Sequence, residues 1–322
     1  MKINRISLIL ISIISLIISS CSKSENIEIW QYKEKGELLW VDDRYSDTII
    51  KKAVKQNLET SSLIIAQITW SPDQKKYFNN TKWYKDLAQN HNKRLMIALD
   101  WQSKNREGEN GKWSFNNAET SKQFEENVLE LVNTYKPDYI NLGVEANYYA
   151  LTSGVGFEKF CKVYREVRSS IKKVSPNTKV GLSYQLELLY GHHIDWKKDK
   201  TLETIDNLLG DLDFIGLSTY PNISDEKLFN SLNYIDSLKA RYVKPIGVSE
   251  TSISSSIYRL ADREKYMSEL FSKAQKTDLK FVIWGSTIDD VNNSSWRDNL
   301  GLLDRNGTPK SEFQIWKSNN LF

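Results

Sequence analysis

The stretch Tyr139-Ile140-Asn141-Leu142-Gly143-Val144-Glu145 decides how this chain is interpreted. It is a short apolar run that ends in a carboxylate, and Pro245-Ile246-Gly247-Val248-Ser249-Glu250 repeats that pattern farther along the chain. Each run is apolar enough to form a strand that is buried on both faces. Two such strands, each with a Glu at its carboxyl end, indicate a parallel α/β fold with its chemistry at one edge.

Outward from these two stretches, short apolar runs alternate with helical patterns. The eight predicted strands are Leu38–Val41, Leu63–Thr69, Arg94–Leu99, Tyr139–Gly143, Lys179–Tyr184, Phe214–Ser218, Pro245–Ser249 and Lys280–Trp284. Residues 27–30 compete for the place of the first strand. Eight strand–helix units in about 280 residues predict a (β/α)8 TIM barrel, a single α/β domain over residues 27–322. An open doubly wound sheet is the alternative, although no Gly-rich phosphate loop follows the first strand.

The composition is that of a globular protein. Of the 322 residues, 40% are hydrophobic and 26% are charged, so the chain can bury a core. Lys and Arg total 44 against 41 Asp and Glu, and a formal net charge of +3 does not predict a nucleic-acid-binding or polybasic membrane surface. Two Cys and three His exclude a disulfide framework and a Cys-rich zinc module. We expect a monomer that needs no cofactor and no metal.

Residues 1–20 are predicted to be a lipoprotein signal peptide. A positively charged start precedes an apolar run from Leu8 to Ile18, which is too short to span a bilayer but fits a signal sequence. The following Ile18-Ser19-Ser20-Cys21 resembles the lipobox of bacterial lipoproteins, which implies that Cys21 carries lipid. Residues 21–26 then form a tether. We expect a lipid-anchored protein of the cell envelope, at the outer membrane rather than the inner one because Ser22 is not Asp. The alternative is an ordinary signal peptide that contains a Cys.

A (β/α)8 barrel builds its functional site at the carboxyl ends of its strands. Glu145 and Glu250 end predicted strands 4 and 7, which face each other across the barrel mouth. Paired carboxyls on opposite walls suit cleavage of a glycosidic bond, because one donates a proton while the other attacks or stabilises the sugar cation. The predicted substrate-binding residues at strand ends are Trp70, Asp100, Trp101, Asn147, Tyr149, Gln185, Tyr220 and Trp284. Further aromatic residues in the predicted loops are Trp113, Trp196 and Trp296. Sugar rings stack on such flat side chains.

These residues resemble the clan A glycoside hydrolases, which are retaining (β/α)8 enzymes. Residues 141–147 are similar to the strand-4 motif of the family 53 endo-β-1,4-galactanases, residues 214–221 to their strand-6 motif, and residues 247–251 to their nucleophile motif. The resemblance implies a retaining glycoside hydrolase that cleaves a β-linked poly- or oligosaccharide. It assigns Glu145 as acid/base and Glu250 as nucleophile. It also implies that Tyr220 hydrogen-bonds the nucleophile and that Trp284 lies under the reacting sugar.

One position departs from the clan pattern. The clan usually has Asn immediately before the acid/base, where it binds the sugar 2-hydroxyl, and this chain has Val144 there. Three alternatives follow: Asn147 or another side chain replaces it, the substrate differs at C2, or the barrel binds sugar without cleaving it well. A non-catalytic carbohydrate-binding lipoprotein on the same barrel is therefore the alternative function. A metal-dependent hydrolase is a weaker alternative, because His91, His192 and His193 lack the spacing of a ligand set.

Overall fold

The computed structural model describes residues 33–41, 43–72, 77–100, 113–196, 201–224 and 230–320. In this part of the chain eight parallel strands close into a barrel in sequence order, with β1 paired to β8. The strands are β1 (Glu34–Leu38), β2 (Leu63–Thr69), β3 (Arg94–Asp100), β4 (Tyr139–Asn141), β5 (Lys179–Gln185), β6 (Phe214–Thr219), β7 (Ile246–Thr251) and β8 (Phe281–Trp284). The predicted single-domain (β/α)8 fold is confirmed.

Helices cover the outside of the barrel. They are α1 (Asp47–Thr60), α2 (Tyr77–Asn90), α3 (Ala118–Tyr135), α4 (Ala146–Thr152), α5 (Gly154–Val174), α6 (Leu186–Tyr190), α7 (Glu203–Asp206), α8 (Asn230–Arg241), α9 (Leu260–Lys276) and α10 (Glu312–Ser318). Two short 3₁₀ helices, Pro221–Ile223 and Trp296–Asn299, lie in the loops after β6 and β8. None of the helices in the described ranges is long and apolar enough to cross a membrane.

The first strand begins and ends earlier in the chain than the apolar pattern predicts. The sequence predicts it at Leu38–Val41, but the structure has it at Glu34–Leu38. Its charged side chains are buried with partners: Glu34 pairs with Arg94 at 2.7 Å, and Lys35 Nζ donates to a backbone carbonyl of α10 at 2.7 Å. Because these contacts satisfy the buried charges, a strand without an apolar pattern is stable here. The other seven strands lie within two residues of their predicted bounds.

Aromatic rings from alternate strands fill the amino-terminal end of the barrel. Tyr139 on β4, Phe214 on β6 and Phe281 on β8 have ring centroids 5.5–6.4 Å apart. Gly181 and Gly247 on the intervening strands leave room for them, since a Cβ at either position would lie 2.5–2.7 Å from Phe214 or Phe281 ring atoms. Strands β4 and β8 face each other across the barrel, so the Tyr139–Phe281 contact lies inside it. Every second residue along each strand from these rings therefore points inwards.

Candidate active site

Glu145 lies in a tight turn after β4. Its backbone is left-handed, with φ 51° and ψ 50°, a conformation that costs a residue with a Cβ about 1–2 kcal/mol. The Glu145 N–H donates to Ser183 Oγ at 3.1 Å, and Ser218 Oγ donates to Glu145 Oε1 at 2.6 Å. The residue is only 2% exposed. Strands β5 and β6 thus hold both the backbone and the carboxyl of Glu145 in one orientation.

An amide inside the barrel supports this turn. Asn141 Oδ1 accepts from the N–H groups of Gly143 and Ser183, each at 3.1 Å. Asn141 Nδ2 donates to Ser183 Oγ at 3.0 Å, the same oxygen that accepts from the Glu145 N–H. Because a buried amide keeps hydrogen bonds that its removal would leave unmade, Asn141 stabilises the turn that positions Glu145.

Glu250 points into the barrel because β7 has an extra residue just before it. Side chains alternate between the two faces of a strand, and Gly247 faces inwards. In a regular strand Ser249 would therefore face inwards and Glu250 outwards. In the ladder with β6, however, Val248 and Glu250 pair with consecutive β6 residues, so Ser249 is bulged out of the register. A bulge of this kind re-aims the next side chain. The Tyr220 hydroxyl donates to Glu250 Oε1, and Glu250 is 9% exposed.

Strand β6 and the residue that follows it supply the hydroxyls that bond the two carboxyls. Ser218 lies opposite Glu250 in the ladder and donates to Glu145, while Tyr220, two residues later, donates to Glu250. Both carboxyls therefore lie within hydrogen-bond distance of the same short segment, residues 218–220. The arrangement can present a proton donor and a nucleophile to a single bond.

The two carboxyls line a pocket of about 230 Å³ at the carboxyl ends of the strands. Its aromatic lining residues are Trp40, Tyr45, Tyr148, Tyr220 and Trp296. Trp296 packs edge-on against Tyr220 with ring centroids 6.0 Å apart, and the Arg297 guanidinium lies 5.0 Å from the Trp296 ring centre. Asp290, another lining residue, pairs with Arg44 at 2.9 Å. Flat apolar rings beside a few fixed polar groups are suited to binding a sugar.

Five of the residues predicted from the sequence meet in this pocket: Glu145, Gln185, Tyr220, Glu250 and Trp296. Trp70 and Trp284 do not. Because side chains alternate along β8 and Phe281 points inwards, Trp284 lies on the outer face of the barrel. There its Nε1 donates to the Leu300 carbonyl at 2.9 Å. Trp70 is buried against Phe124, with ring centroids 5.0 Å apart. Their positions at strand ends made both tryptophans candidates, but their side chains pack under the helices.

Asn147 belongs to the scaffold and does not line the pocket. Its Nδ2 donates to the Gln185 carbonyl at 2.9 Å and to Thr201 Oγ1 at 3.0 Å, and its Oδ1 accepts from the Gln185 N–H at 2.8 Å. These bonds use both ends of a fully buried amide. Asn147 is therefore not placed to supply the amide that Val144 lacks.

The remaining candidates also lie away from the pocket lining or outside the described residues. Tyr149 is buried in α4 and packs edge-on against Phe115 with ring centroids 6.0 Å apart. Asp100 ends β3 without lining the pocket, and its carbonyl accepts from the Trp70 N–H at 2.8 Å. Trp101, like the lipidation candidate Cys21, lies outside the described residues.

The lining residues that were not predicted from the sequence include Trp40 and Tyr45. Trp40 is 45% exposed and follows β1 by two residues, so a correctly placed first strand would have made it a candidate at a strand end. Tyr148 is held by His193, whose Nδ1 accepts from the Asp195 N–H at 3.1 Å and whose Nε2 donates to the Tyr148 oxygen at 2.6 Å. Burial lowers the pKa of His193, which favours this neutral tautomer. In the described ranges no group of three or more His, Cys, Asp or Glu is placed to hold a metal ion.

Among the solved structures that share this fold are glycoside hydrolases. An exo-β-1,4-mannosidase from Opitutaceae bacterium strain TAV5 is 12% identical with a TM-score of 0.68, over 88% of this chain and 58% of that one. A GH5_18 protein from Bifidobacterium longum subsp. infantis is 13% identical with a TM-score of 0.67, over 89% and 80%. A GH5_18 variant from B. longum subsp. longum, in which Ala replaces one Glu and which was solved with Manβ1-4GlcNAc, is 12% identical with a TM-score of 0.68, over 89% and 77%. This chain thus spans little more than half of the mannosidase.

The sequence itself matches one family. No curated protein sequence matches the chain. The sequence model of glycosyl hydrolase family 53 matches residues 111–288, which is more than half of the chain and includes both Glu145 and Glu250. The chain therefore belongs to glycosyl hydrolase family 53, a family of O-glycosyl hydrolases.

Proposed function

We propose that this member of family 53 hydrolyses a β-linked polysaccharide or oligosaccharide with retention of configuration. The observation that carries the proposal is the pair Glu145, in the turn after β4, and Glu250, near the end of β7. They share one pocket, and they accept hydrogen bonds from the hydroxyls of Ser218 and Tyr220. In the first step Glu250 attacks the anomeric carbon while Glu145 protonates the departing oxygen. In the second step Glu145 takes a proton from water, the water oxygen attacks the same carbon, and the bond to Glu250 breaks.

The first substrate to test is β-1,4-galactan. Family 53 membership supports it, as does a sugar-sized pocket with aromatic walls. The experiment is hydrolysis of galactan, mannan, xylan and β-glucans by residues 22–322, with Glu145→Ala in parallel. Sugar release that the variant lacks would support the glycosidase and identify its polymer. Proton NMR of the first-formed product then tests retention.

One observation favours the non-catalytic alternative, and the same panel tests it. Val144 is buried, and Asn147 is committed to Gln185 and Thr201, so neither supplies an amide to the sugar 2-hydroxyl. A hydrogen bond at that hydroxyl strengthens in the transition state of such reactions. Binding to one polymer without hydrolysis of any would therefore favour a carbohydrate-binding barrel.

Trp296→Ala is expected to weaken substrate binding. Its ring lines the pocket beside Tyr220, so its loss removes an apolar surface for the sugar and should raise KM about 3- to 10-fold with a smaller effect on kcat. Steady-state kinetics on the polymer identified by the panel would measure both constants. The matched control is Trp70→Phe, a buried ring on the outer face of the barrel, which should lower Tm and leave KM unchanged. A KM that responds to Trp70 and not to Trp296 would contradict this assignment.

We further propose that the protein is anchored in the cell envelope by lipid on Cys21, at the outer membrane. The support is the lipobox-like Ile18-Ser19-Ser20-Cys21 after an apolar segment. Acyl chains contribute about 0.8 kcal/mol per buried CH₂, so lipid on Cys21 would hold the protein at the membrane. Cys21→Ser is expected to abolish incorporation of radiolabelled palmitate and release the protein from the membrane fraction. Cys161→Ser, a buried thiol, is the control and should keep the label. Labelling that persists in Cys21→Ser would reject the anchor.

A further inference from the structure

Glu187, which the mechanism above does not use, is a fully buried carboxyl in α6, two residues after the end of β5. Its Oε1 accepts from Thr219 Oγ1 at 2.6 Å, and its Oε2 accepts from Gln185 Nε2. The backbone N–H groups of Glu187 and Tyr220 also donate to it. All four partners are donors, so the ionised carboxylate is the form that satisfies them together. Within the described ranges no Lys or Arg forms an ion pair with Glu187.

Two of these donors lead directly to the catalytic pocket. Gln185 lines the pocket, and its Oε1 has no hydrogen-bond partner, so the bond to Glu187 is what orients this amide. Tyr220, whose backbone N–H bonds Glu187, donates its hydroxyl to Glu250. A single carboxylate therefore joins the end of β5 to the end of β6 next to the proposed nucleophile.

We propose that Glu187 is a positioning residue for the catalytic pair: its carboxylate fixes Gln185 and the end of β6, and proton uptake by Glu187 lowers turnover. The inference rests on the proposed glycosidase function. When Glu187 gains a proton, it loses the charge that strengthens all four hydrogen bonds. Gln185 can receive the new O–H by turning its amide so that Oε1 accepts, and Thr219 can receive it by turning its hydroxyl towards Ser231 Oγ at 3.4 Å, whereas the two backbone N–H groups can only donate. Protonation of Glu187 thus changes the hydrogen bonds that orient the side chains beside the pocket.

The pKa of Glu187 lies near neutral pH. Burial raises the pKa of Glu187 from 4.5 to about 7, against the opposing effect of its hydrogen-bond donors. A raised pKa means that the folded protein holds this proton more tightly than the unfolded chain. The stability contributed by the protonated form is full below about pH 4.5 and is lost as the pH rises through about 7. The ionised form, which we propose as the active one, is therefore the less stable one.

No other charged group in the described elements around α6 duplicates this role. Besides Glu187, the titratable and charged groups on α4, β5, β6, α8 and α6 itself, and in the described segments that follow β6 and α6, are Tyr148, Tyr149, Lys179, Tyr184, Tyr190, His192, His193, Asp195, Tyr220, Tyr234, Asp236, Lys239 and Arg241. Burial raises the pKa of Tyr266 on α9 well above its usual value; its hydroxyl shares a hydrogen bond with Thr251, and it interacts electrostatically with Glu187. Asp236 and Arg241 are in ion pairs with Lys273 and Asp206. Burial lowers the pKa of His193, which shares a hydrogen bond with the pocket residue Tyr148, so His193 requires its own control.

The test is the dependence of kcat on pH for the polymer that the wild type hydrolyses. In the wild type, kcat should rise about tenfold through a midpoint near pH 7, because small misplacements of catalytic groups have large effects on rate. Glu187→Gln should remove this rising limb of the kcat profile, and KM should change little. Thr219→Val removes one donor to the carboxylate and should move the limb to higher pH. If Glu187→Gln does not fold, the shift in Thr219→Val decides the question.

Two variants separate this effect from other titrations. Glu37→Gln alters another fully buried carboxyl, which bonds Thr60 and Trp316 outside the pocket, and should keep the wild-type limb. His193→Gln should also keep it. A limb near pH 7 that survives in Glu187→Gln, or that disappears in His193→Gln, would overturn the inference.

A substrate-free measurement distinguishes failure of this inference from failure of the proposed function. In protein labelled with ¹³C at Glu carboxyls, the Glu250 signal, identified by its loss in Glu250→Gln, should shift with a midpoint near pH 7 that Glu187→Gln removes. If no polymer is hydrolysed, the proposed function fails and this coupling still decides the role of Glu187. A Glu250 signal that titrates identically in both proteins would refute the positioning role.

Discussion

Glu250→Gln is expected to lower kcat by roughly 10⁴-fold or more on every substrate that the wild type hydrolyses. The amide has the shape of the carboxyl and still accepts from the Tyr220 hydroxyl, so the wall of the pocket stays in place. It carries no charge with which to attack the anomeric carbon, and the glycosyl–enzyme bond cannot form. Binding should therefore persist while turnover is lost. Calorimetry with oligosaccharides and a sensitive assay for released sugar measure the two properties separately.

Azide rescue of Glu250→Ala sharpens this prediction. An azide ion in the vacated space would attack a β-aryl glycoside from the face that Glu250 normally uses, in a single displacement that yields the α-glycosyl azide. The stereochemistry of that product reports which face the missing carboxylate occupied. Turnover retained in Glu250→Gln, or a β-azide from Glu250→Ala, would remove Glu250 as the nucleophile.

The sequence predicts the barrel well because the property that builds it is local. Strands such as Leu63–Thr69 and Arg94–Asp100 are buried on both faces and appear as continuous apolar runs. The first strand, Glu34–Leu38, escapes this rule because its charges have partners about 60 and 280 residues away, in Arg94 and α10. A pattern within one strand carries no information about such distant partners.

The site was predicted less completely, for two structural reasons. Strand ends identify candidates, but the alternation of side chains decides which of them point inwards, and Trp284 follows the outward series. Glu250 shows the opposite case, since alternation alone would turn it outwards and the bulged Ser249 turns it back. A bulge depends on pairing with a neighbouring strand, and Glu187 gains its partners only when β5 and β6 lie side by side. None of these features is visible along one segment of sequence.

Glu145→Ala is expected to have an effect that depends on the leaving group. Natural glycosides leave as poor alkoxides, so loss of the proton donor should lower kcat on polysaccharide by about 10²- to 10⁴-fold. An aryl glycoside with an acidic phenol needs little protonation, and its first step should be far less impaired. The second step then becomes limiting, because no carboxylate activates water, and a burst of phenol should precede slow turnover. Burst kinetics on a series of aryl glycosides measures this difference.

Azide should also react in Glu145→Ala, and its product should have the opposite stereochemistry to the product from Glu250→Ala. In Glu145→Ala the glycosyl–Glu250 intermediate still forms, and azide attacks it from the face that water normally uses. Two inversions give the β-glycosyl azide, whereas the Glu250 variant gives the α-azide after one. Because Ser218 donates to Glu145 and Tyr220 donates to Glu250, the two variants remove carboxyls from opposite sides of the same β6 segment. An equal loss of kcat on aryl and natural substrates, with no azide product, would show that Glu145 supports the fold of the turn and does not transfer the proton.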